Sequence, residues 1–203
     1  MKSILITVAA ALVVAASPSY AADTKIQSTE SGKPHMEFAP CSAKGQFRLF
    51  VRSGEIRIVG SDEARLSIDL SGRKSGQIQD VKARLTCSEN SAELHVTGGP
   101  HNDLSITIHV PKSLDLYARV PSGEVSVEGI TGTKDVELHA GELTIDVVNA
   151  KDYGHVDASV YAGEVDAEAF GDNKGGLFRS ISKTAEGPYH LHAHVGSGQL
   201  TIR

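Results

Sequence analysis

The 203-residue chain has no tryptophan, five tyrosines and five phenylalanines, two cysteines and two methionines. With so few large rings, its core must rest on Val, Ile, Leu and Ala, which suits thin, regularly packed strands. Two cysteines exclude a disulfide-dense scaffold. Positive charge is also scarce: 20 Lys and Arg stand against 25 Asp and Glu, a formal net charge of −5. Without a basic stretch the chain lacks the electrostatic footprint of nucleic-acid binding. After the first twenty residues no apolar run reaches the roughly 20 residues that a membrane-spanning helix requires. Catalytic signatures are missing too. The sequence holds no Gly-x-Ser-x-Gly elbow, no phosphate-cradling Gly-x-x-x-x-Gly-Lys and no His-Glu-x-x-His.

The start of the chain carries an address. Lys2 precedes an apolar stretch from Ile4 to Ala16, and Ser19 and Ala21 then occupy the −3 and −1 positions of a small-x-small cleavage site. This predicts a signal peptide over 1–21, cut after Ala21. Export places Cys41 and Cys87 in an oxidising compartment, where a Cys41–Cys87 disulfide is the expected state. Residues 22–46, mostly polar, read as a flexible leader and the approach to a single repetitive β domain over 47–203.

From Phe47 onward apolar and polar residues alternate, the period-2 pattern of half-buried strands. Within it one motif recurs: Ser53-Gly54-Glu55-Ile56, Ser122-Gly123-Glu124-Val125, Ala140-Gly141-Glu142-Leu143, Ala162-Gly163-Glu164-Val165 and Ser197-Gly198-Gln199-Leu200. Five copies of small-Gly-acid/Gln-aliphatic define a unit of strand, glycine corner, strand. Gly54, Gly123, Gly141, Gly163 and Gly198 are the corners, because a change of direction inside a strand needs a backbone conformation that only glycine adopts cheaply. The corner spacings are 18, 22 and 35 residues after Gly123. The first two are single turns of a β-solenoid and the last is close to two. The expected fold is therefore all-β, a repetitive solenoid-like stack of short strands. An antiparallel β-sandwich is the alternative.

The run Val110-Pro111-Lys112-Ser113-Leu114-Asp115-Leu116, followed by Ser122-Gly123-Glu124-Val125 and the Gly129–Gly132 stretch, resembles the bacterial putative-adhesin family of unknown function, whose toast-rack-like domains are built from β-strand repeats. The resemblance spans about 47 to 203. It implies an exported, repetitive β domain of the cell envelope, and it brings no catalytic residues with it.

Three residue sets are candidates for binding. His190, His192 and His194 alternate along one strand and share a face, where zinc or copper would need a further ligand from a neighbouring strand, His139 or His155. Glu124, Glu142 and Glu164 occupy one equivalent outward position, and Glu128, Asp146 and Glu168 another. Stacked in register, these two acidic ladders would be suited to calcium or to a cationic envelope partner. Tyr117, Tyr153, Tyr161 and Tyr189 are candidates to line a sugar-binding surface. The functional expectation is an exported, non-enzymatic, adhesion-like module that engages an envelope or extracellular protein or glycan. A metal- or glycan-binding periplasmic module is the alternative. A polysaccharide-active enzyme would need paired carboxylates, for which Asp166 with Glu164 or Glu168 are the nearest candidates.

Overall fold

A computed structural model describes residues 25–28, 34–39, 45–72, 78, 80–100 and 103–203. Thirteen strands follow one another: β1 (Lys25–Ser28), β2 (His35–Glu37), β3 (Gln46–Phe50), β4 (Ser53–Ser61), β5 (Ser67–Gly72), β6 (Lys82–Cys87), β7 (Ser91–Thr97), β8 (Leu104–Pro111), β9 (Asp115–Glu128), β10 (Lys134–Ile145), β11 (Tyr153–Ala167), β12 (Asp172–Thr184) and β13 (Tyr189–Ile202). Two 3-10 turns, Ala150–Asp152 and Glu168–Phe170, are the only helical elements among the described residues. The fold is all-β, as the alternation predicts.

All strands belong to one mixed sheet that does not close into a barrel. Its long strands bend at the predicted corners. In β9 the inward side chains are Leu116, Ala118 and Val120 before the corner and Val125 and Val127 after it; Pro121 to Glu124 lie outside that set. Four corner residues thus shift the inward parity from even to odd, so both halves of the strand turn their apolar faces to one interior. The result is two leaves. The first runs in the order β1-β6-β7-β3-β9-β10-β13-β11-β12, while β2, β5, β8 and β4 continue the second leaf from the far half of β9. Between the leaves lies a single aliphatic core, with Leu49, Ile58, Leu85, Ile108, Leu138 and Val195 fully buried. The structure therefore combines a solenoid's parallel, in-register units with a sandwich's two facing leaves.

Register explains the repeated motif. Gly54 pairs with Gly123, Gly123 with Gly141, Gly141 with Gly198, and Gly198 with Gly163. These corners have φ between +132° and +143°, outside the range of L side chains. Space forbids a side chain as well: a Cβ on Gly141 would lie 1.9 Å from the carbonyl oxygen of Gly123, and one on Gly198 would lie 1.8 Å from that of Gly141. The corner line is thus a column of glycine backbones.

Two details depart from the expectation. The spatial order of corners is 54, 123, 141, 198, 163, because β13 inserts between β10 and β11 in parallel with both. The 35-residue spacing is therefore not two successive turns; it holds the antiparallel edge strand β12 and then β13. The long interval from Gly54 to Gly123 contains β5 to β8, in which β7 and β8 form a further parallel unit whose corner is a loop. Finally, the segment expected as a leader supplies β1 and β2 and buries Met36 and Phe38. The expected signal peptide, 1–21, and Cys41 lie outside the described residues.

Candidate functional site

Two outward surfaces carry the candidate residues. The first is the groove along the glycine column, where the residue after each glycine projects outward. Glu55, Glu124, Glu142, Gln199 and Glu164 occupy this position on successive strands. Register places the Glu124, Glu142 and Glu164 of the expected ladder in this row together with Glu55, and Gln199 stands between Glu142 and Glu164. Strands about 4.8 Å apart bring like charges opposite one another. Gln199 removes that repulsion between Glu142 and Glu164.

The second acidic set is arranged differently. Arg57 Nη2 reaches Glu128 Oε2 at 2.7 Å and Arg203 Nε reaches Asp146 Oδ1 at 2.6 Å. Both guanidiniums are held above their ordinary pKa by these carboxylates, first through the hydrogen bond and then through charge. Glu168 does not join them, since it begins the 3-10 turn that follows β11.

The outer face of the first leaf holds the histidines, and cross-strand register sends each to a different partner. His190 lies beside His155, with ring centroids 6.0 Å apart. His192 faces Asp135 on one side and Asp157 on the other, and His194 Nδ1 lies 2.8 Å from Ser159 Oγ. Of the three, only His192 joins a group of metal-ligand type: one atom each of Asp135, Glu137 and His192 lie within 4.8 Å of one another. A cation already sits there. Arg119 Nη2 is 2.9 Å from Asp135 Oδ1, and Arg119 Nε is 3.1 Å from Glu137 Oε2. The Asp135 contact is an ion pair without hydrogen-bond alignment. Arg119 Nη1 donates to the carbonyls of Ala118 and Asp135, and the guanidinium stacks 4.0 Å over the Tyr117 ring. Sequence spacing along β13 could not point to this cluster, because its members come from three strands.

The tyrosines divide by environment. Tyr117 is covered by Arg119 and flanked by Arg48. Tyr153 is buried, with Tyr189 packed beside it. Tyr153 takes a hydrogen bond from Lys134, whose ammonium is fully buried between the leaves and also donates to the Gly132 carbonyl at 3.3 Å. Burial lowers the Lys134 pKa to about 8 and raises that of Tyr153 to about 12. Tyr161 alone of the four is strongly exposed, at 56%, with its ring edge-on to Phe178 at 4.5 Å. Phe178 is itself 69% exposed.

No protein-family model matches the chain, and no curated protein matches it. A solved structure described as a putative cell adhesion protein from Clostridium sporogenes ATCC 15579 superposes with a TM-score of 0.55 at 13% identity. The match covers 88% of this chain and 99% of that one, and it shows that the two chains share a fold.

Proposed function

We propose that the chain is an exported, non-enzymatic, adhesion-like module whose long outer surfaces engage a partner in the cell envelope or outside the cell. The observation that carries this reading is the shared fold over nearly the whole length of a protein described as a putative cell adhesion protein. The surface chemistry agrees with it: an acidic row, interrupted once by Gln199, and a face of cross-strand polar pairs run across the stacked strands, and such a surface suits extended contact. Export follows from the pattern of residues 1–21, and the Cys41–Cys87 bridge belongs to the same proposal. Cys87 is buried at the end of β6, and no described cysteine is free.

The test has two arms. Cell fractionation with intact-mass measurement should find the chain outside the cytoplasm, beginning at Ala22 and two hydrogen atoms lighter than its reduced form. Purified protein should be retained on envelope material or on an extracellular surface. A cytoplasmic, uncleaved protein, or one with no retention on any surface, overturns the reading.

A further inference from the structure

We propose that the outer face of the first leaf carries a binding cleft for an uncharged saccharide, floored by Gly196 and flanked by Tyr161 and His139. This rests on the adhesion-like reading and names the ligand chemistry for it. The strand pairing brings the cleft together. Val195 pairs with Leu138 and Val160, and Ser197 pairs with Ala140 and Ala162, so His139 on β10 and Tyr161 on β11 flank Gly196 on β13. All three lie on the face opposite the buried Leu138, Val160 and Val195. A glycine between two large outward side chains leaves a trough one strand wide, with its walls on strands roughly 9.6 Å apart. The floor has a reason to stay bare, because a Cβ on Gly196 would meet the His139 carbonyl oxygen at 2.4 Å. On the His139 side a cleft of about 510 Å³ opens, lined by Pro121, Glu137, His139, His194 and Gly196 among others, and Tyr161 stands across Gly196 from it, outside that lining. That size lies within the range of small-ligand sites.

The chemistry selects the occupant. Every guanidinium nitrogen of Arg119 is already engaged, so no unpaired positive charge awaits an anion, and Glu137 would repel one. The same guanidinium holds the carboxylates a metal would need. The backbone on either side of the cleft pairs between strands, 138 with 195 and 140 with 197 on one side and 160 with 195 and 162 with 197 on the other, which favours a ligand read by side chains over a peptide main chain. What remains on offer is hydroxyl-binding capacity from His139, from the second ring nitrogen of His194 and from the Glu137 oxygen that Arg119 does not hold, beside the exposed ring of Tyr161, which meets Phe178 edge-on. Ring hydroxyls and the apolar C–H face of a pyranose match that combination.

The full chain should be titrated with neutral hexasaccharides of glucose, mannose, galactose and N-acetylglucosamine, followed by ligand-observed NMR and by tyrosine absorbance, which no tryptophan obscures. Binding of at least one is expected. Tyr161→Ala should weaken it by roughly tenfold or more, the loss of one aromatic contact. His139→Ala should weaken it less, and Tyr117→Phe should leave it unchanged. Tyr161 and His139 are exposed, and an unchanged melting temperature will confirm that the variants fold. No binding at millimolar sugar, or binding indifferent to Tyr161→Ala, overturns the cleft. If Tyr161→Ala is still retained on surfaces like the parent, the adhesive reading survives and the saccharide cleft does not; if the parent is not retained either, both fall.

Discussion

At the scale of single residues, the buried Lys134 sets how stability depends on pH. Its folded pKa of about 8 lies below the unfolded value near 10.5, so between these limits the unfolded chain holds more protons and stability rises with pH. The span corresponds to roughly 3 kcal/mol. Tyr153 acts in the opposite sense and later. Its folded pKa of about 12 exceeds the unfolded value near 10, so stability falls above pH 10. Denaturant midpoints measured from pH 7 to 11 should crest near pH 10, and Lys134→Met should abolish the rising limb. The corners give a second prediction. Gly141→Ala meets both a forbidden φ of +133° and the Gly123 carbonyl, whereas Gly171, at φ +72°, has open space around it. Chemical denaturation should show Gly171→Ala costing about 1 kcal/mol and Gly141→Ala at least about 3 kcal/mol.

Among elements, the corner column and the edge strand β12 differ in how they manage exposed polarity. Glu124 stands between Glu55 and Glu142 and bears repulsion from both sides. Glu124→Gln should raise stability by about 0.2–1 kcal/mol at low salt, and the gain should vanish at about 1 M salt as charges are screened. Strand β12 is nearly all exposed, with Ile181 its one buried residue. Lys174, Arg179 and Lys183 stand opposite the buried Val165, Val160 and Val156, and Lys183 pairs with Asp172 at 3.0 Å. Charges placed on the inward side of an edge strand discourage edge-to-edge association. Replacing Arg179 and Lys183 together by Val should therefore increase oligomer and aggregate, as read by size-exclusion chromatography with light scattering.

For the whole molecule, strand alternation and the corner glycines were legible in the sequence because both have local physical causes: a period of two, and a backbone angle open only to glycine. The order of the stack was not. Five nearly identical corner segments fit beside one another in any permutation, so local pattern cannot rank their neighbours. The one uncharged residue after a corner glycine, Gln199, suits a place where an acid would face two others, and it is found between Glu142 and Glu164. The Arg119–Asp135–Glu137–His192 cluster and the Gly196 floor were hidden for the same reason. Each depends on register between strands far apart in the chain, whereas the alternating histidines of β13 are a pattern within a single strand.

The insertion of β13 also orders assembly in time. β10 and β11 precede it in the chain, yet neither can complete its pairing until β13 is in place between them. Folding cannot zip along the stack from one end to the other. The β11–β12 pair must form apart from β10 or wait with an open slot, and closure of that slot joins two unfinished edges in one non-local, slow step. Until then the facing edges of β10 and β11 are the surfaces on which an incompletely folded chain is most prone to capture a strand from another molecule.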